Sequence, residues 1–406
     1  MFITIKKCRI CSNQKFDYIL NLGNQPPANS LQRKVSNQKK IPLKVIRCKS
    51  CSTLQLNVTV KPKHLFSKYI WVTGTSDKIK DYRKFFVQKI LSKNKKKDIK
   101  LLEIASNDGF FLQEFKKKKV EILGVDPARN ISKKANQRGI KTLPIFFNEK
   151  NSDLILKKHL KPNIIICRNV VPHVENIGSL MRGISNILDE NGKVYVEFHY
   201  AENLSKKLHY DYIYHEHIFY FTYLSMKKIL NKHHLYPKDY FESPISGGSI
   251  VLEVCKKKVS ESKKLINLKK YEKKENLNTL KYWMNFTKKC YAHNLELNKQ
   301  VDKYKKHEII GYGASARSST LLNYCGINSK KIKFIFDKNT LKHNLFTAGT
   351  NIQIKKPNKN YLRNIKCVVV LAWNFKNEII KFLKNNLRFK GKLIIVLPKI
   401  KVINVN

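Results

Sequence analysis

Residues Tyr214-His215-Glu216-His217 set a phenol, two imidazoles and a carboxyl side by side, inside an aromatic-rich run from 211 to 224. Imidazole titrates near pH ~6.5 and is the ordinary base at neutral pH; an adjacent acid or phenol can fix which ring nitrogen carries the proton. Such a base can take a proton from carbon where a neighbouring carbonyl lets that carbon become an enolate. An extended strand points Tyr214 and Glu216 one way and His215 and His217 the other, whereas a turn or helix start gathers them. The residues allow both. The His-x-His spacing also suits zinc or iron, although no third ligand lies at a recognisable offset, and a purely structural cluster is the remaining alternative.

A second chemical signature lies upstream, in Glu103-Ile-Ala-Ser-Asn-Asp-Gly109. Glu103 closes an apolar, strand-like run and Gly109 precedes a helical one, so the loop between them brings backbone N–H groups and a helix start to a ligand. Asp126 ends the next strand, 23 residues after Glu103, where an acid can accept ribose hydroxyls. This is the form of a loop that holds S-adenosylmethionine (SAM), although a generic sheet turn fits the local pattern equally well. A donor of methyl groups and a base together point to methyl transfer that requires proton removal. Gly311-x-Gly313-x-x-Ala316, with Asp337 21 residues after Ala316, also fits a dinucleotide fingerprint. An NAD-dependent oxidoreductase is therefore the competing enzyme class.

Cys8-x-x-Cys11 and Cys48-x-x-Cys51 are separated by 36 residues. Two thiolate pairs on two knuckles supply the tetrahedral all-sulfur set that zinc prefers, closed to substrate and therefore structural; the long gap implies an inserted loop. A redox pair or coincidence is the alternative. The other five of the nine cysteines sit in apolar contexts expected of core residues.

The elements that must position these groups follow from the pattern. Residues 75–92 read as a helix, and from residue 99 strands and helices alternate, which predicts parallel strands with crossover helices. The expected fold class is α/β: a zinc-binding module over 1–62, a class I SAM-methyltransferase Rossmann-like domain over 63–255, a Lys-rich helical connector over 256–300, and a C-terminal Rossmann-like domain over 301–406. No run reaches the ~18 apolar residues needed to span a bilayer. The start, Met1–Lys7, lacks the apolar core of a secretion signal, so the expectation is a cytoplasmic protein without membrane partners. The net charge of +52 comes from 70 Lys against 11 Arg, in basic runs scattered along the chain. That is the skew of AT-rich coding rather than an Arg-built reading surface, and it argues against dedicated nucleic-acid binding. A noncatalytic RNA binder is the remaining non-enzyme alternative. A general attraction for anionic substrates is expected.

The segments 103–109, Gly124-Val-Asp-Pro-Ala128, Gly23-x-x-Pro-Pro-Ala28, Arg168-Asn-Val-Val-Pro-His173, Tyr214–His217, Gly247-Gly-Ser249, Gly311-Tyr-Gly-Ala314 and Ala372-Trp-Asn374 are spread along nearly the whole chain. Together they resemble the three-domain, zinc-containing, SAM-dependent sugar C-methyltransferases of deoxysugar pathways. The resemblance implies a nucleotide-sugar substrate and His217 as base, with Glu216 orienting it, Tyr214 beside it, His173 on the enolate oxygen, and Tyr69 entering from the N-terminal side. It also implies cofactor binding by Glu103, Ala105, Asn107, Asp108, Gly109, Asp126 and Asn169. Gly313, Arg317, Asn323 and Asn374 would hold the nucleotide sugar in a third domain that no longer takes NAD. Cys8, Cys11, Cys48 and Cys51 would hold zinc. Two departures stand out: Ala105 replaces the usual Gly, and Arg317 the usual Lys. O-methylation within the same frame is the alternative to C-methylation, and the oligomeric state is open.

Overall fold

The computed structural model describes residues 2–61, 65, 77–94 and 98–406, and Tyr69 lies outside these. Strands β1 (Phe2–Thr4), β2 (Phe16–Gln25), β3 (Ile41–Cys48), β4 (Leu54–Leu56) and β5 (Val58–Val60) form the N-terminal module. β2, β3 and β4 pair antiparallel, and β1 pairs with β5. The two Cys-x-x-Cys turns share one geometry. Ser12 and Ser52, each following a second cysteine, lie at φ 61° and 62° and donate N–H to the carbonyls of Cys8 and Cys48 at 2.9 Å. The four Sγ atoms lie within 4.8 Å of one another, with Cys8–Cys51 at 3.6 Å and Cys11–Cys48 at 3.5 Å. Tetrahedral Zn–S bonds of about 2.3 Å give S···S edges of about 3.8 Å, so the four thiols fit the ion. Gln55 Nε2 donates to Cys8 Sγ at 3.2 Å, and the Arg9 guanidinium binds the carbonyls of Leu56 (2.7 Å) and Val58 (3.0 Å). The metal site is thereby tied to β4 and β5.

The middle domain contains β6 (Lys100–Ile104), β7 (Glu121–Val125), β8 (Thr142–Leu143), β9 (Ile164–Arg168), β10 (Lys193–His199), β11 (Phe219–Tyr220), β12 (Tyr236–Ser243) and β13 (Ser249–Cys255). Its seven-stranded sheet runs β12-β13-β10-β9-β6-β7-β8, parallel from β10 to β8, with β13 antiparallel to both neighbours. Residues Ile164–Cys167 are wholly buried, as expected of a central parallel strand covered on both faces. β11 does not join this sheet. It pairs antiparallel with β4, so the chain just after His217 forms the edge of the N-terminal sheet.

The C-terminal domain has β14 (Ile309–Tyr312), β15 (Ile335–Phe336), β16 (Ile354–Lys355), β17 (Cys367–Val370), β18 (Gly391–Ile395) and β19 (Lys401–Val405) in the order β16-β15-β14-β17-β18-β19, with only β19 antiparallel. The connector is two helices. Lys263–Lys274 buries Leu265 against the middle domain, while Leu280–Val301 turns Trp283, Phe286, Cys290, Leu297 and Val301 into a core shared with β2, β3 and the C-terminal sheet. Among the described residues no helix is long and apolar enough to cross a membrane.

Because the metal site, β4 and β11 are continuous, Cys48→Ser is expected to reduce zinc from one ion per chain to near none. Amide exchange should then rise at residues 54–56 and 218–220 together. Structural zinc contributes on the order of 10 kcal/mol to modules of this kind. Metal-free protein with both strands still protected would overturn the link.

Candidate active site

Ala105, Asn107 and Gly109 lie at φ 55°, 51° and 72°, so the loop after β6 turns in a tight arc at the carboxyl end of the sheet. A Cβ on Gly109 would stand 2.8 Å from Ile140, which makes glycine obligatory there. Asp126, just past β7, accepts the N–H groups of Asn107 and Ala128 at 2.9 Å and pins the arc; burial raises its pKa. Around this loop Glu103 Oε2, Ser106 Oγ, Asp108 Oδ1 and Asn169 Oδ1 are buried without a hydrogen-bond partner among the described residues. Each such orphan costs roughly 1–3 kcal/mol. A ligand rich in donors, such as the ammonium and ribose of SAM, fits this set. Burial pushes the Glu103 carboxyl up to about 7, against the opposing pull of Arg168, whose Nε lies at 3.1 Å.

Residues 214–217 form a turn, with His217 N–H donating to Tyr214 O at 2.9 Å. The turn places the Tyr214 ring on the imidazole of His217 at 4.0 Å, and the Tyr212 ring lies at 4.0 Å as well. His217 Nδ1 is 2.7 Å from the carbonyl of Tyr212. A carbonyl can only accept, so Nδ1 carries the proton and Nε2 holds the lone pair. Burial, and then the neighbouring His173, hold the imidazole well below its ordinary pKa, so it stays neutral.

Two expected roles change. Glu216 does not orient His217: the turn sends its carboxyl to Asn29 Nδ2 of the N-terminal module at 2.6 Å, and the Tyr212 carbonyl takes the orienting part. Burial raises the Glu216 carboxyl to about 7. His173 does stand beside His217, ring to ring at 4.8 Å, but its Nδ1 donates to Glu216 O at 2.7 Å and burial lowers its pKa to about 4. A neutral ring protonated at Nδ1 offers an acceptor at Nε2, not the donor an enolate oxygen needs.

The C-terminal residues are placed differently from one another. Gly313 (φ 98°) packs closely against the next strand's end: a Cβ there would meet Ala372 Cβ at 2.4 Å. Arg317 is turned onto Asp211, with Nε and Nη2 at 3.0 and 2.9 Å from its carboxylate. Asn323 Nδ2 is bound to the carbonyls of Ser319 and Ala348, and Asn374 is exposed. Unforeseen from sequence are His199, stacked on Tyr212 at 4.2 Å, and His209, with Nδ1 3.4 Å from His199 Nε2; the Trp373 ring, of the Ala372-Trp-Asn374 motif, meets His209 at 4.8 Å. His199 closes a strand and so had a weak positional signal. His209 had none.

Three families match the chain in succession: a zinc binding domain over residues 8–66, a methyltransferase domain over 76–236 and a C-methyltransferase C-terminal domain over 244–398. The C-methyltransferase NovU of Streptomyces niveus is 28% identical over 409 residues, covering 98% of this chain and 97% of that protein. Magnesium protoporphyrin IX methyltransferase (ChlM) from Synechocystis PCC 6803 is 10% identical with a TM-score of 0.34, covering 44% of this chain and 84% of that one. Burkholderia thailandensis 1,6-didemethyltoxoflavin-N1-methyltransferase is 14% identical with a TM-score of 0.33, covering 43% and 77%.

Two measurements test this geometry. Six buried imidazoles have lowered pKa values: His173 and His215 about 4, His209 about 2, His293 lowered by burial, and His199 and His217 well below the ordinary range. Between pH ~6.5 and ~4 the unfolded chain binds protons there that the native protein refuses, so stability is lost as pH falls. Glu103 and Glu216, raised to about 7, act oppositely, as do Glu197 and Glu272. Six imidazoles against four carboxyls leave a net of about two protons, a ceiling near ~3 kcal/mol lost per pH unit. Denaturant unfolding at pH 7.5, 6.5 and 5.5 reads this directly, and a flat profile would refute neutral burial. Separately, Ala105→Gly relieves a left-handed alanine and is expected to raise stability by about 1 kcal/mol, with SAM affinity by calorimetry unchanged or tighter. A loss of stability would show that Ala105 is unstrained.

Proposed function

With these three family domains in order along one chain, the protein is a SAM-dependent C-methyltransferase with a zinc-binding N-terminal domain, and from that premise we propose that it methylates a carbon beside the ketone of a nucleotide-linked deoxysugar through an enolate. When bound, SAM supplies an electrophilic methyl group on cationic sulfur. The observation that supports the enolate reading best is the tautomer of His217, whose Nδ1–H is committed to Tyr212 O at 2.7 Å while Nε2 of the buried ring keeps its lone pair. Nε2 removes the C–H proton. The imidazolium that forms keeps its Nδ1–H bond, now charge-assisted, and lies against the faces of Tyr212 and Tyr214. The sugar follows from the resemblance of the ordered motifs, and the excess of Lys favours an anionic nucleotide carrier.

Proton removal precedes methyl transfer, so it can be observed alone. A thymidine-diphosphate-linked 4-keto-6-deoxyhexose incubated with enzyme and S-adenosylhomocysteine in D2O is expected to take up deuterium at one sugar carbon. His217→Asn keeps the size of the ring but cannot accept the proton, and exchange should fall by ~10²–10⁴. Exchange unaffected by that substitution, or an oxygen-linked methyl in the product, would remove His217 from this role.

A further inference from the structure

The carbonyl that orients His217 belongs to Tyr212, in the short 3-10 turn Tyr210–Tyr212, and both neighbours of Tyr212 are held by the C-terminal domain. On the preceding side Asp211 is buried, and its carboxylate receives Arg317 Nε (3.0 Å), Arg317 Nη2 (2.9 Å) and Trp373 Nε1 (2.8 Å). On the following side the carbonyl of Ile213 receives Thr320 Oγ1 at 3.0 Å. Arg317 and Thr320 are three residues apart in the helix Ala316–Tyr324, so they share a face one turn apart. The fork of Arg317 is also walled by aromatic rings, Cζ lying 4.7 Å from the Trp373 ring and 5.6 Å from the Tyr212 ring.

Three donors meet one carboxylate here, which leaves Arg317 with little to offer a substrate phosphate. A one-turn grip on both sides of a single peptide fixes where its carbonyl points. Resting on the reading of His217 as the base, we propose that Arg317 and Thr320 are positioning residues: by holding Asp211 and Ile213 on either side of Tyr212, they aim the carbonyl that keeps His217 protonated at Nδ1 and basic at Nε2. The C-terminal domain then acts on the chemistry through the main chain of the middle domain. Trp373, within the Ala372-Trp-Asn374 signature, closes the same carboxylate site.

The test uses zinc-loaded, full-length protein labelled with 15N-histidine, the His217 signals being those lost in His217→Asn. Wild type is expected to show the Nδ1-protonated tautomer, and Arg317→Gln and Thr320→Val a mixture of both. Paired Asp211→Asn/Arg317→Gln removes both charges and guards against a misfolded single variant; it should show the same mixture. With the thymidine-diphosphate-linked keto-sugar as probe, kcat should fall about 10²-fold with KM nearly unchanged, as expected of a displaced reacting group. Arg317→Lys restores charge without the fork and should recover part of kcat. A raised KM with kcat and tautomer intact would make Arg317 a substrate ligand and overturn the proposal. In the His217→Asn background Arg317→Gln should cost no further exchange, and an additive loss would overturn it too. If His217→Asn alone leaves exchange intact, the base reading fails, while the tautomer spectra still judge the grip.

Discussion

One hydrogen bond carries much of this architecture: His217 Nδ1–H to the carbonyl of Tyr212, at 2.7 Å. A neutral hydrogen bond adds only about 0.5–1.5 kcal/mol to stability, but reversing the ring would bury an unpaired carbonyl and cost more. The bond therefore selects a tautomer far more strongly than it stabilises a fold. It holds only if the main chain at 212–218 is fixed, and no helix or long strand fixes it. Instead each domain contributes a tie. Ile218 N–H donates to Pro172 O of the middle domain at 2.7 Å, and Leu56 N–H of the N-terminal module donates to Ile218 O at 2.8 Å. The C-terminal helix supplies the bond from Thr320. A three-domain chain makes physical sense around a loop that no single domain can immobilise.

The buried charges behind the site follow the same logic. Arg168 lies between Glu103 (3.1 Å) and Glu197 (3.9 Å), with its guanidinium 3.2 Å from the centre of the Phe111 ring. Two carboxylates for one guanidinium leave a surplus of negative charge in a buried place, and burial raises both carboxyl pKa values. Buried ion pairs seldom add net stability, because desolvation offsets their attraction. What such a group does offer is a charge poised for a cationic ligand. Glu103 keeps one oxygen unpaired among the described residues at the end of β6, on the side where the cofactor loop arrives.

What the sequence made legible depended on how far apart the interacting residues lie. The four zinc-site thiols could be read in full, because each knuckle is encoded by a spacing of three residues and two knuckles leave little freedom. The strands Lys100–Ile104, Glu121–Val125 and Ile164–Arg168 lie where alternation from residue 99 predicts parallel strands, since buried parallel strands are short apolar runs whatever their partners. The role of Glu216 was misjudged because adjacency in sequence is not adjacency in a turn: His217 meets Tyr214, three residues back, while Glu216 between them faces Asn29, 187 positions away. The contacts of Asp211, His209 and Trp373 were invisible for the same reason, because they join segments that no local pattern links. Whether 214–217 extends or turns was decided by β11, a two-residue strand whose partner is supplied by another domain.

The large positive charge bears on the chemistry without entering the site. Lys is abundant, yet the ring contacts around His217 come from His173, Tyr212 and Tyr214. The cations that do act on it act at a distance. Arg317, paired with Asp211, still adds to the lowering of the His217 pKa and, with Lys207, to that of His199 and His209. Burial and positive charge thus work in the same direction, and both keep the imidazoles uncharged. A surface of this sign also attracts anions in general, with an attraction that salt weakens over a Debye length of about 8 Å. Salt screens a buried imidazole far less than it screens attraction at the surface, so ionic strength separates two effects of one charge distribution: the attraction of anions, which is sensitive to it, and the state of His217, which is set by packing.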